Sequence, residues 1–291
     1  MTDYDLVAYQ RAGTVAARAM CYIREIVASC QDERELADRI MAHIHDLESA
    51  PPRWLSVGIG TNERHVNNLW RDRRPFRDGD LVKVEIGLDL EGYYVEVCET
   101  LAPWGAERAD LDLIETCAHA LFQAIRIVNT GVRVRRIAQT IQEAVEARGF
   151  EVSLFGAGHA MQVDASASDN RGPPWIFNRV DAASRAVARH QDGTEINVAA
   201  SLETRLTPGM CLSLEPIVQA RGSASEHRAE IVPIPGANCE IKLPYWQASD
   251  GGKVAKFVHT VYVAAKSTVL LTGRLPRDEG VQASHYGIQG L

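Results

Sequence analysis

The sequence predicts an α+β fold, and three observations carry that expectation: two amphipathic helical patterns open the chain, strand-like segments joined by a tight turn follow, and the same order of helix, helix and strands then recurs. From Leu6 to about Val27 apolar residues return at helical spacing, with Val15, Ala19, Ile23, Ile26 and Val27 on one face. A second helix is expected from Glu33 to Leu47. Trp54 to Gly60 and Leu81 to Thr100 then change to strand-like content, and Leu90-Glu91-Gly92 divides the latter into a hairpin. Leu111 to Val128 is amphipathic again and stops near Gly131, and Val134 to Arg148 forms a fourth helix. Further strands are expected at Val152 to Phe155, Met210 to Pro216, Ala229 to Ile234 and Lys256 to Ala264. The stretch from Asp164 to Pro208 reads as a long excursion between strands, with one short helical run at Ala182 to Arg189.

This order gives one domain over residues 1–291, in two similar halves of about 1–105 and 106–273 with a tail at 274–291. No residue-level repeat accompanies it. A chain of 291 residues that is 46% hydrophobic can bury a large core. Its net charge of -7 is mixed along the chain, so nucleic acid and anionic membrane surfaces are not expected partners. The N-terminal MTDYDLVAYQRAG has acids where a signal peptide has bases, and no apolar run reaches membrane-spanning length. A cytoplasmic protein is the expectation. Cys21, Cys30, Cys98, Cys117, Cys211 and Cys239 lack CxxC spacing and read as reduced core residues.

Chemistry enters where polar residues interrupt apolar strands. Glu85 lies in Leu81-Val82-Lys83-Val84-Glu85-Ile86-Gly87, and an unpaired carboxylate there is costly. Glu96 lies in Tyr94-Val95-Glu96-Val97, on the strand that the hairpin turn brings alongside. Two facing carboxylates repel unless a proton or a cation is shared. His159 follows the glycine-rich Phe155-Gly156-Ala157-Gly158, and Glu215 sits in Leu212-Ser213-Leu214-Glu215-Pro216. Three acids and a histidine suit a hard or borderline metal ion, or acid–base catalysis.

The order and flanks of these residues resemble the catalytic domain of the pita-bread family of methionine aminopeptidases, prolidases, aminopeptidase P and creatinase (peptidase family M24). The resemblance runs from Gly60-Thr61-Asn62-Glu63 through Arg77-Asp78-Gly79-Asp80, Ala157-Gly158-His159, Thr207-Pro208-Gly209-Met210 and Glu215-Pro216. It closes at Phe257-Val258-His259-Thr260-Val261 and Val269-Leu270-Leu271-Thr272-Gly273. It implies two pseudo-symmetric halves around a curved antiparallel sheet. Two Asp, a His and two Glu hold a pair of divalent metals in the family's metallopeptidases, and the resemblance carries these to Glu85, Glu96, His159, Glu215 and position 258. Position 258 is Val, and both Asp positions are Glu.

A dinuclear pair is therefore not expected, and the cofactor expectation is none, or one divalent ion (Fe, Mn or Co) at Glu96, His159 and Glu215. Two further histidines of the aminopeptidases correspond to Asn67 and to a position near Ser166. His65, close to the first, reads as a solvated loop residue more readily than as its substitute. The strand Gly92 to Leu101 is closer to the creatinase version, which hydrolyses a carbon–nitrogen bond without metal. Cys98 shares a strand face with Glu96 and reads as packed. His259 and Thr260 are expected to support the site. Arg171, Trp175, Phe177 and Arg179 are candidates for contact with a substrate carboxylate or apolar group.

The leading expectation is a creatinase-like hydrolase or lyase that acts on a small molecule by acid–base catalysis through His159, Glu85, Glu96 and Glu215. The resemblance further implies a homodimer. The alternatives are a mononuclear-metal hydrolase or non-haem iron oxygenase, and a non-catalytic binding or scaffold homologue.

Overall fold

The structure, a computed structural model, describes residues 3–47, 51–66, 74–153, 157–163, 171–180, 197–233 and 240–273. Helices α1 (Asp3–Ile26) and α2 (Glu33–Leu47) precede strands β1 (Trp54–Thr61), β2 (Val82–Leu90) and β3 (Tyr93–Leu101). Helices α3 (Arg108–Ile127) and α4 (Val134–Glu146) lead into β4 (Phe150–Val152), β5 (Ala157–Met161) and β6 (Arg171–Phe177). A short helix, α5 (Val198–Glu203), is followed by β7 (Cys211–Leu214), β8 (Ile217–Ala220), β9 (Ser225–Pro233), β10 (Glu240–Ala248), β11 (Ala255–Lys256), β12 (Val258–Val263) and β13 (Thr268–Leu270). The four long helices stand where their apolar periodicity puts them. On α4, for example, Val134, Ile137, Ala138, Ile141 and Val145 form one buried stripe.

The main sheet has eight strands in the order β1-β2-β3-β12-β7-β5-β6, with β13 paired to β12. Every pairing in it is antiparallel. Among the described residues two smaller sheets, β11-β8-β4 and β9-β10, accompany it. One apolar cluster packs α1 and α2 on β1–β3, and a second packs α3 and α4 on the later strands. Each fully buried Val, Leu or Ile in them contributes roughly 1.5–3 kcal/mol.

The period of two along a strand decides what faces these clusters. In β2, Val82, Val84, Ile86 and Leu88 join the first cluster, so Lys83, Glu85 and Gly87 point to the opposite face. The β2–β3 hairpin turns through Glu91 (φ 55°) and Gly92 (φ 94°), two consecutive left-handed residues that match the strands' twist. That turn fixes the register in which Glu85 lies opposite Cys98 and Glu96 opposite Gly87.

Two expectations need correction. The stretch from Asp164 to Pro208 is not simply an excursion, because Arg171–Phe177 is an edge strand of the main sheet and Val198–Glu203 is a helix. Its Gly-Pro-Pro sequence interrupts a strand pattern, yet proline is tolerated at a sheet edge. Strand β10 was not anticipated at all; it pairs with β9 as a separate ribbon. The helical run at Ala182 to Arg189 and the tail 274–291 lie outside the described residues. Among the described residues no helix is long and apolar enough to cross a membrane.

Candidate active site

The strand order places β2, β3, β12, β7 and β5 side by side, and each supplies or adjoins one position of the site. Glu85 comes from β2, Glu96 from β3, Val258 from β12, Glu215 from the residue after β7, and His159 from β5. The four polar residues meet. His159 Nε2 lies 3.1 Å from Glu96 Oε2 and 3.6 Å from Glu215 Oε1. His159 Nδ1 is 3.2 Å from the carbonyl of Ala160, which only accepts, so Nδ1 carries a hydrogen and Nε2 is the edge turned to the carboxylates.

Glu85 and Glu215 are joined by a residue that the sequence reading passed over. Lys256 Nζ forms an ion pair with Glu85 Oε2 and lies 3.3 Å from Glu215 Oε2. Its backbone is clamped to β3: the Lys256 N–H donates to Thr100 Oγ1 at 2.8 Å, and the Thr100 hydroxyl donates to the Lys256 carbonyl at 2.8 Å. The signal was available, since a lysine between Ala255 and Phe257 interrupts an apolar run just as the three acids do.

Other hydroxyls complete the shell. The Tyr94 hydroxyl donates to Glu96 Oε1 at 2.5 Å, and the Ser213 hydroxyl donates to Glu215 Oε1 at 2.7 Å. Gly87 makes the first contact geometrically accessible, because a Cβ there would stand 2.3 Å from the Tyr94 hydroxyl. Thr260 fixes the Glu96 backbone from both sides, accepting from its N–H and donating to its carbonyl, each at 2.8 Å. Asn178 Nδ2 donates to the Glu215 carbonyl at 2.7 Å.

The electrostatics follow from burial and neighbours. Burial opposes ionisation of Glu96, but His159, Arg171 and the Tyr94 hydroxyl outweigh it and hold the carboxyl below the usual range. Burial likewise opposes protonation of His159, while Glu96 and Glu215 overcome it and raise its affinity for the proton. Glu85 is lifted above the ordinary range by burial, against Lys256 and with help from Glu215 and Glu96. Lys256 keeps its proton more tightly than a free lysine, because the two carboxylates overcome its burial. Arg171, on edge strand β6, interacts electrostatically with Glu96, Tyr94, Glu215 and Glu85. Three acids thus face Lys256, Arg171 and a histidine whose affinity for a proton they raise.

The remaining candidates divide. Trp175 meets the His159 ring edge-on at 6.0 Å. Phe177 belongs to the apolar core, and Arg179 pairs with Glu151 at 3.0 Å and donates to the Val152 carbonyl at 3.2 Å. Cys98 is buried on the site's face, where burial and Glu85 hold its thiol well above the usual range, as expected for a packed residue. His259 turns to the other side of β12, against Phe122 and within 3.0 Å of Thr272 Oγ1. His65 is not a solvated loop residue: it is buried, its N–H donates to the Trp246 carbonyl of β10, and burial with Lys83 and Lys256 lowers its pKa to about 3. Cys21 is exposed, contrary to the expectation for it, whereas Cys30, Cys98, Cys117 and Cys211 are buried and free. Asn67, Ser166 and Cys239 lie outside the described residues.

The two-metal centre that the resemblance implies does not fit these residues. Val258 is buried and offers no ligand, and the Lys256 ammonium is already bound between Glu85 and Glu215. Both oxygens of Glu96 and both of Glu215 face protein donors. Glu96, His159 and Glu215 nevertheless present one ligand atom each within 4.8 Å of one another, a spacing that one ion can span.

Comparison with known proteins agrees with this architecture. Residues 7–265 match the model of metallopeptidase family M24. The methionine aminopeptidase of Archaeoglobus fulgidus is 26% identical over 168 residues, 57% of this chain and 55% of that one, and that of Pyrococcus abyssi is matched over 42% of its length. The chain thus spans about half the length of these curated relatives. With the methionine aminopeptidase of Treponema pallidum the match is 25% identical and covers 76% of this chain and 75% of the relative. Among solved structures, the methionine aminopeptidase of Thermotoga maritima superposes with a TM-score of 0.72 at 22% identity, covering 94% of this chain and 98% of that one. A Xaa-Pro dipeptidase from Bacillus anthracis gives 0.64 at 14% identity, covering 95% of this chain and 62% of that one. With its fold shared by these enzymes and its family match running from α1 to the end of β12, the chain belongs to metallopeptidase family M24.

Proposed function

We propose that this chain is a hydrolase that cleaves a carbon–nitrogen bond in a small molecule by acid–base catalysis, without the two-metal centre of its peptidase relatives. The observation that carries the reading is the charge-matched site: Glu85, Glu96 and Glu215 face Lys256, His159 and Arg171, and Val258 stands where a bridging acid would be. The named relatives are peptidases; the departure rests on these residues alone.

The geometry supports the following roles. His159, whose Nε2 lies between Glu96 and Glu215 and whose proton affinity these two raise, delivers the Nε2 proton to the departing nitrogen. Glu85, with its proton affinity raised by burial, takes a proton from the attacking water. The new carbon–oxygen bond replaces the carbon–nitrogen bond: the carbon product keeps one hydrogen of the water, the departing nitrogen takes the His159 proton, and the proton left on Glu85 returns to His159 to restore the site. Arg171 offers a guanidinium to an anionic end of the substrate.

The test is turnover of small guanidino, amidino and amide substrates by chelator-treated protein, in water enriched in ¹⁸O. Chelator-insensitive cleavage with ¹⁸O in the product is expected, and His159→Ala should lower kcat by roughly 10²–10⁴-fold. Cleavage without ¹⁸O would indicate elimination instead. Activity on peptides that appears only with added Mn(II) or Co(II) would overturn the reading.

A second reading keeps one divalent ion, favoured by the close spacing of Glu96, His159 and Glu215. Such an ion would supply Lewis-acid activation of water or, if iron, oxygen chemistry. It predicts stoichiometric metal that His159→Ala loses.

A further inference from the structure

The disagreement between this site and a two-metal centre has a structural cause, in two residues two positions apart on a common face. Lys256 ends β11 and Val258 begins β12, so both side chains turn toward Glu85 and Glu215. We propose that the Lys256 ammonium is a built-in counter-ion that takes the place of metal charge between Glu85 and Glu215, and that Lys256 and Val258 together are what bars the chain from assembling two ions.

Three observations support this. The ammonium sits on two carboxylates that come from different strands, β2 and the end of β7, which is the bridging role a cation would otherwise perform. Its position is fixed by the backbone, since Thr100 holds both the N–H and the carbonyl of Lys256. It is also buried, with 9% of its surface exposed, so the charge is poorly screened by solvent. A divalent ion approaching the same oxygens would meet this fixed positive charge at close range. It would also lack the fourth carboxylate, because Val258 lies opposite Cys98 in the register with nothing to coordinate.

Lysine has an advantage over a metal ion in one respect. It is covalently part of the chain, so the carboxylates stay compensated whatever the metal supply. The corresponding cost is that the ammonium has three donor hydrogens and no open coordination position, so it can orient Glu85 and Glu215 but does not bind water as a Lewis acid.

The proposal shares its site with the reading above but stands apart from it, because metal stoichiometry is measured without any substrate. Purified protein would be titrated with Mn(II) by isothermal calorimetry, and bound metal counted by native mass spectrometry, for wild type, Lys256→Gln and Lys256→Gln/Val258→Glu. Circular dichroism melts would establish that each variant is folded. Wild type should take up at most one ion. The single variant should bind Mn(II) about tenfold more tightly, and the double variant should gain one further equivalent with roughly a hundredfold gain in affinity. Wild type that takes up two equivalents overturns the proposal whether or not the variants fold. A folded double variant that gains no metal overturns it as well. Failure of every small substrate to turn over would sink the functional reading and leave these stoichiometries unchanged.

Discussion

Replacing Lys256 by Met removes one positive charge and keeps most of the side chain's apolar volume, which isolates the electrostatic part of its role. In the native protein the ammonium compensates Glu85 and Glu215, whose side chains are 24% and 11% exposed. Breaking a buried pair by removing one partner typically costs about 3–5 kcal/mol, because the other charge stays behind without compensation. Two carboxylates remain here, but Glu85 keeps partial access to solvent and can take up a proton, so the middle of that range is expected. For a chain of 291 residues that unfolds as one unit, an unfolding entropy of about 0.6 kcal/mol/K converts this to a fall in Tm of roughly 5–8 °C. The assay is thermal unfolding at pH 7.5, extended to the pairwise cycle with Glu85→Gln. Neutralising Glu85 in the Lys256→Met background should recover about 1–2 kcal/mol, so the two effects are non-additive. A loss below about 0.5 kcal/mol, the size of an ordinary surface change, or strict additivity of the two substitutions, would refute the argument that Lys256 holds the carboxylates together.

Three further predictions test other parts of the account. Gly87→Ala should displace the Tyr94 hydroxyl from Glu96, since the new Cβ would be 2.3 Å from it, and turnover should fall about tenfold or more while the melt shows a folded protein; unchanged turnover would show that the Tyr94 contact with Glu96 does not support the chemistry. His259, with its pKa lowered to about 4 from 6.5 by burial, binds protons less readily when folded, so its contribution to stability is present above about pH 6.5 and is lost as pH falls toward 4. His259→Gln should therefore close the stability gap between pH 7 and pH 4.5 by up to about 3 kcal/mol in urea unfolding, and an unaltered gap would count against it. Glu33 has the opposite sign: burial raises its pKa to about 7 from 4.5, so its contribution is present below about pH 4.5 and is lost as pH rises through 7. Glu33→Gln, which can still accept from the Thr61 hydroxyl, should stabilise the protein at pH 8 by up to about 3 kcal/mol and do little at pH 4.5. Equal effects at the two pH values would show that Glu33 is not buried as described.

Much of the site is legible in the sequence because its residues violate local pattern. Glu85, Glu96 and Glu215 are acids in otherwise apolar strands, and His159 follows a glycine-rich approach, so each stands out from its flanks. The helices were legible for a related reason, their apolar stripes being long and regular. Lys256 violates pattern just as plainly, yet its meaning depends on a pairing between residues 171 positions apart that no local window contains. His65 was misread because its burial comes from outside its own segment, where β10 crosses the loop after β1 and its Trp246 carbonyl accepts the His65 N–H. Edge strand β6 and ribbon strand β10 were hidden by prolines, which break strand patterns in sequence but are accommodated where one side of a strand needs no partner. At position 258 an absence is read directly, because the resemblance supplies the residue to look for.

The most direct test of the central claim is anomalous X-ray scattering at the manganese edge from crystals grown with Mn(II). Ordinary electron density for Lys256 Nζ between Glu85 and Glu215, with no anomalous peak there, is the expected result. Two anomalous peaks about 3.5–4 Å apart among Glu85, Glu96, His159 and Glu215, with Lys256 turned away, would contradict it.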